Sequence, residues 1–219
     1  MPGNTQTALM DMFDLMSDRF GPQDWWPGDG PFEVMAGAVL TQNTNWTNVE
    51  KAIANLKKDG LLSVRGIYEV SKDKLADSIR PAGYYNIKSE RLKNLVSLLA
   101  GQYEGDIFRL FDEDIEDQRR ALLSVKGIGP ETADSIILYA AKKPVFVIDA
   151  YTYRILHRHN MVDEQVTYEE LQDLFMDNLS SDHELFNEFH ALIVKVGKEY
   201  CKKIPKCDNC PLNGWERIG

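Results

Sequence analysis

Residues 122–155, LLSVKGIGPETADSIILYAAKKPVFVIDAYTYRI, constrain this chain more than any other stretch. Two apolar runs of helical period flank Gly127-Ile128-Gly129. Glycines at those positions allow a tight turn and let backbone N–H groups come close to an anion. The helix that starts after the turn adds its positive dipole end. The device grips a phosphate without a basic side chain. Asp149 follows at the end of a short apolar stretch, Val145–Ile148, that reads as extended. Two glycines alone would read as a turn inside a helical core, with glycine as a C-cap. Glycines, following helix and downstream carboxylate together point to a nucleic-acid backbone held beside a catalyst.

The rest of the chain is helical in period. Leu9, Phe13, Met16 and Phe20 recur at three- and four-residue steps, as do Leu92, Leu95, Val96 and Leu99, and then Ile136, Ile137 and Ala140. Phe13 is read as core. Gly and Pro punctuate at 27–31, 81–83, 127–130 and 205–211. The reading is all-α, with roughly ten or eleven helices and no sheet. No internal repeat or low-complexity tract is visible.

The formal net charge of −9 argues against a protein that coats DNA non-specifically. Cations nevertheless cluster, at Arg80, Lys88, Arg91 and Lys93, at Arg119, Arg120 and Lys126, and again between Lys195 and Lys206. The pattern fits either one basic face on an acidic body or ordinary solvated helices of mixed charge. No apolar run has the length of a membrane span and no signal peptide is visible, so the expectation is a cytoplasmic protein of a bacterium or archaeon.

KGIGPETA followed by VFVIDAYTYR resembles the helix–hairpin–helix, Gly/Pro…Asp DNA glycosylase superfamily, to which endonuclease III belongs. WWP at 25–27, GAVLTQNTNW at 37–46 and RPAGYYNIKSERL at 80–92 are most similar to the 3-methyladenine DNA glycosylase III family. The likeness runs from about Trp25 to Cys210, and four motifs in the expected order make it specific. It implies a two-lobed fold with a central six-helix barrel. Residues 32–145 would form the barrel lobe, with the helix–hairpin–helix at about 119–141. Residues 1–31 with 146–219 would form the second lobe and end in a cysteine-containing loop. A cleft between the lobes would hold the hairpin and Asp149.

The resemblance implies a monomeric, monofunctional glycosylase that removes alkylated purines such as 3-methyladenine from double-stranded DNA by base flipping. Asp149 would stabilise the oxocarbenium character left on the sugar and orient water. It is also a favoured helix N-cap, and both roles can coexist. Glu131 stands where strand-cutting relatives carry a lysine that forms a Schiff base. A carboxylate cannot form an imine, and Lys126 and Lys142 lie at the wrong positions of the motif, so no lyase activity is expected. Glu131 is read either as a second catalytic group or as a helix first-turn acid. Trp25, Trp26 and Trp46 would wall a pocket for a cationic base. Gln42 and the Tyr84–Tyr85 loop would fill the gap left by the flipped base. Lys88, Lys126, Gly127, Gly129 and Thr132 complete the expected DNA contacts. His157 and His159 are read equally as phosphate contacts or as surface and core residues.

Cys201, Cys207 and Cys210 depart from the family pattern, which closes with four cysteines around a [4Fe-4S] cluster. Trp215 and Glu216 stand where the fourth is expected. Three readings stay open: a cluster with a foreign fourth ligand, a vestige, or zinc with His190. Two other functions compete with alkylpurine excision. One is a mismatch adenine or uracil glycosylase. The glutamate that adenine-mismatch enzymes carry ahead of the wedge motif is absent here, where Gly37 and Ala38 stand. The other is a non-catalytic DNA-binding hairpin module, for which Asp149 and the tryptophans would have no use.

Overall fold

The structure is a computed structural model that describes residues 2–23, 25 and 28–215. In chain order the helices are α1 (Pro2–Phe20), α2 (Pro31–Thr41), α3 (Trp46–Lys58), α4 (Val64–Glu69), α5 (Lys72–Ser78), α6 (Tyr85–Gln102), α7 (Ile107–Asp112), α8 (Ile115–Leu123), α9 (Pro130–Ser135), α10 (Ala150–Arg158), α11 (Tyr168–Met176) and α12 (His183–Glu199). The fold is all-α, and no strand occurs among the described residues. None of these helices is long and apolar enough to cross a membrane.

The chain divides into two compact units, residues 27–143 and residues 1–26 with 144–219. The central unit holds the eight helices α2 to α9, where the resemblance implies a six-helix barrel. Several of them are short, about two turns long, and set off by their own caps. Ser63, Ser71, Asp106 and Asp114 each accept a backbone N–H of the helix that follows, which satisfies donors left open at a helix start. The core of this unit is aliphatic, with Met35, Leu40, Leu56, Ile67, Leu92 and Leu95 fully buried. Helix α9 continues as a π-helical segment, Ile136–Ala140, whose five residues are all buried.

The discontinuous unit packs α1 and α10 against α12. Its centre is aromatic. Phe146 stacks on Phe175 at 3.8 Å and meets Phe186 and Phe189 edge-on. Val145–Ile148 is buried and lies outside helix and strand, and its backbone finds side-chain partners. Gln172 donates to the Phe146 carbonyl at 2.7 Å, and Tyr168 Oη accepts from Ile148 N at 3.4 Å. This buried run leads directly to Asp149.

Candidate active site and DNA interface

Asp149 is the N-cap of α10. Its Oδ1 accepts from Tyr151 N (2.9 Å), Thr152 N (2.8 Å) and Thr152 Oγ1 (2.9 Å). Its Oδ2 faces His190 Nε2 of α12 at 3.7 Å, and both side chains are largely buried. Burial opposes ionisation, but the His190 imidazole and the two Thr152 donors outweigh it, and the carboxyl sits below its ordinary range. Helix α12 can approach because Gly197 stands opposite Tyr151. A Cβ at Gly197 would lie 2.3 Å from the Tyr151 ring.

Two residues that the sequence did not single out for the active site belong to this arrangement. His190 is one. Lys198, one turn beyond Lys195 on α12, is the other. Its ammonium sits 5.4 Å from the centre of the Trp25 ring. Burial lowers its pKa, the Asp149 carboxylate partly restores it, and Lys195 lowers it further. Trp25 is half-buried in this unit, and Trp26 lies outside the described residues.

Trp46 belongs to the central unit, where it opens α3. It lines a cavity of about 180 Å³ together with Asp29, Glu33, Gly37, Glu50 and Ile53. Lys57 neutralises part of this acidity, pairing with Asp29 at 2.6 Å and Glu33 at 2.8 Å.

The hairpin turns at Gly127, whose φ of +98° favours glycine. Gly129 is extended and caps α9, with nothing within 4 Å of where a Cβ would stand. Glu131 is exposed in the first turn of α9. Lys126 is exposed, 3.6 Å from Glu90. Tyr84 is 68% exposed in the left-handed region at the start of α6, and Tyr85 lies half-buried under the Arg80 guanidinium. Gln42 follows α2 as its C-cap, and its amide is engaged within the protein. It donates to the Gly127 carbonyl (3.1 Å) and to Thr132 Oγ1 (2.9 Å) and accepts from Arg91 at 2.5 Å.

Two expected DNA contacts are buried. Lys88 is 1% exposed, and its ammonium donates to the carbonyls of Leu40 and Ala82, each at 2.8 Å. Burial pushes it down to about 8, and Arg91 adds to the shift. A charge held there cannot reach a phosphate. Thr132 is also buried, and its hydroxyl is taken up by Gln42. His157 and His159 have partners inside their own unit, the Val162 and Trp215 carbonyls.

The cysteines do not make a metal centre. Cys201 is buried, Cys207 exposed and Cys210 half-buried, and all three are free. Among the described residues no group of three or more His, Cys, Asp or Glu side chains could hold a metal ion. The expectation of an open cluster or a zinc site is thereby corrected. A [4Fe-4S] cluster takes four thiolates. Here the Cys201 sulfur instead accepts from the Arg158 guanidinium at 3.2 Å, and His190 is turned to Asp149.

A family model for base excision DNA repair proteins of the HhH-GPD superfamily matches residues 36–181. The chain belongs to this superfamily. A protein of Methanocaldococcus jannaschii named as a DNA repair glycosylase is 44% identical over 97% of each chain. Endonuclease III of Thermotoga maritima is 30% identical over 83% of this chain and 80% of its own. A thymine/uracil-DNA glycosylase of Pyrobaculum aerophilum is 26% identical over 96% of this chain and 90% of its own. Among solved structures, Helicobacter pylori 3-methyladenine DNA glycosylase bound to 1,N6-ethenoadenine has 31% identity and a TM-score of 0.73, covering 89% of this chain and 95% of that one. A trapped covalent intermediate of endonuclease III with DNA shares the fold, at 21% identity and a TM-score of 0.80 over 94% and 93%.

These relatives correct two expectations. Exclusion of a lyase step from Glu131 does not stand, because endonuclease III is itself a relative at 30% identity. Residue 131 fixes the chemistry of one position only. Relatives in Arabidopsis thaliana and Schizosaccharomyces pombe also remove any inference of a prokaryotic source.

Proposed function

We propose that this HhH-GPD protein excises N-alkylated purines from DNA, with the Asp149 carboxylate acting on the sugar as the base departs. The observation that carries the reading is the state of Asp149. One oxygen is fixed by three donors, the other is held toward an imidazole, and the group is kept ionised in a buried setting. A preformed anion of this kind stabilises positive charge developing at the anomeric carbon without reorganising. The Gly127–Gly129 hairpin would hold the backbone phosphate at the α9 N-terminus.

The substrate class rests on the cavity at Trp46. An indole face with three carboxylates and one lysine around it favours a cation over a neutral base. The 31% identity to a 3-methyladenine glycosylase agrees with this choice. Thymine or uracil excision is the second reading, favoured by the relative that matches 96% of this chain.

Duplexes carrying 3-methyladenine, 1,N6-ethenoadenine, uracil opposite guanine and thymine opposite guanine separate the two. Released base is measured by chromatography, and strand scission is scored in the same samples. We expect 3-methyladenine release that disappears with Asp149→Asn. Release of only uracil or thymine would replace the first reading with the second. No release from any duplex would overturn both.

A further inference from the structure

Helix α6 carries three polar residues at successive three-residue steps, Lys88, Arg91 and Asn94. Residues so spaced form one gently winding stripe along a helix. Between them they reach three segments of the central unit, the end of α2 with Gln42, the turn before α6 and the glycine hairpin. Lys88 donates to Leu40 O, at the end of α2 just before Gln42, and to Ala82 O, in the turn before Tyr84. Arg91 donates to Gln42 Oε1, and its side chain lies beneath the hairpin, where a Cβ on Gly127 would come within 2.5 Å of its Cγ. Asn94 donates to the Lys126 carbonyl at 2.9 Å. Gln42 closes the ring by donating to Gly127 and Thr132.

We infer that Lys88, Arg91 and Asn94 form a polar spine that sets the Gln42 loop, the Ala82–Tyr85 turn and the glycine hairpin in one register, as positioning residues for lesion recognition. None of the three is a catalytic residue. The recognition role rests on the proposed function. The registry itself rests on the hydrogen bonds and the Gly127 approach alone.

Satisfied networks that start from a buried charge such as Lys88 favour one geometry, and the loss of that donor strands two buried acceptors. The segments leave α2, the turn before α6 and the end of α8, and side chains of α6 hydrogen-bond to all three. Arg91 engages Gln42 through Nη1.

The test uses Arg91→Met, Arg91→Lys and Lys88→Met in the full chain. Hydrogen exchange is read first, on protein without DNA. We expect faster amide exchange at 41–45 and 126–129 in Arg91→Met, partial rescue in Arg91→Lys, and faster exchange at 40–43 and 82–85 in Lys88→Met. The buried amides of α3 and α6 should be unchanged. The second arm is binding to a duplex with a tetrahydrofuran abasic analogue against the undamaged duplex. Arg91→Met should lose roughly tenfold in selectivity, with the slope of log affinity against log salt unaltered. The double variant with Gln42→Ala should be no worse than Arg91→Met alone.

A uniform loss on both duplexes, with the salt slope smaller by about one, would make Arg91 a phosphate contact and overturn the spine. Unchanged loop exchange in both Met variants would also overturn it. If the parental chain shows no abasic selectivity while the exchange arm behaves as expected, the proposed function has failed and the spine has not.

Discussion

Asp149 uses its two oxygens differently, and that division predicts how substitutions there will separate fold from chemistry. Oδ1 serves the α10 cap, which an asparagine oxygen can also serve. Oδ2 faces His190 and, on the proposed function, is the oxygen that acts on the sugar. Asp149→Asn should therefore keep the α10 cap and abasic-duplex binding, give up near neutral pH the stability that the ionised carboxylate adds, and slow base release by on the order of 100-fold. Asp149→Ala should lose release as well, together with about 1 kcal/mol of stability from the missing cap. The pKa gives a second signature. Because the folded carboxyl is depressed, its contribution to stability is full above the unfolded value near 4 and is lost as pH falls through the folded value. The urea midpoint of the parental chain should converge on that of Asp149→Asn below about pH 4. Single-turnover release and urea melts at several pH values check both. Release from Asp149→Asn at the parental rate would remove the carboxylate from the mechanism. Asp149 was readable in sequence because it ends an apolar run at a fixed distance from the hairpin. His190 and Lys198 were not, since they join it only through the packing of α12 on α10, and a glycine at 197 announces no such approach.

Among elements, the hairpin shows why two glycines in one motif do different work. Gly127 meets two constraints, a φ of +98° and the Arg91 stem beneath it. Gly129 meets neither, being extended with open space around its Cα. Gly127→Ala should destabilise the fold by about 1–3 kcal/mol through backbone strain and collision. Gly129→Ala should melt like the parental chain yet bind every duplex more weakly, because its methyl would stand where a phosphate oxygen must reach the α9 N–H groups. Thermal melts paired with duplex titrations decide it. If Gly129→Ala binds normally, the backbone grip does not pass through this turn. The sequence revealed the hairpin because glycine, proline and periodicity are local signals. It misassigned Lys88 and Thr132 because a lysine in a basic stretch and a threonine in a DNA-binding motif look exposed until the carbonyls of Leu40 and Ala82 and the Gln42 amide are in place around them.

At the scale of the whole molecule, the net charge of −9 leaves little generic attraction for DNA, and many cations in the basic stretches are already spent on neighbours. Lys72 pairs with Glu90, Arg80 with Asp77, Arg120 with Asp117 and Lys195 with Glu199. Exposed pairs of this kind add little to stability and mainly temper the local field. On the proposed function, binding draws on the hairpin and the loops that α6 supports. The discontinuous unit faces the opposite question, of what closes its C-terminal end when the cysteines do not form a metal centre. The answer is a pair of arginines from α10. Arg154 donates to the Cys201 carbonyl (2.7 Å) and the Gly197 carbonyl (3.2 Å). Arg158 donates to the Cys201 sulfur and to the carbonyls of Lys202 (2.6 Å) and Lys203 (3.3 Å). Trp215 completes the closure by donating from Nε1 to Ala8 O and packing at a tilt against the His159 ring. Arg158 thus satisfies two carbonyls of the loop after α12, and Arg154 one of that loop and one of α12 itself, the task that metal ligation performs where four thiolates are present. Arg158→Met should lower stability by roughly 1–2 kcal/mol through the loss of charged hydrogen bonds. Cys207→Ser with Cys210→Ser should leave the melting midpoint unchanged, and a chelator should not move it. The measurements are thermal melts with and without chelator and the iron and zinc content of the purified chain. Stoichiometric iron, or a midpoint that falls on chelation while Arg158→Met melts normally, would show that metal and not the arginine pair closes the unit.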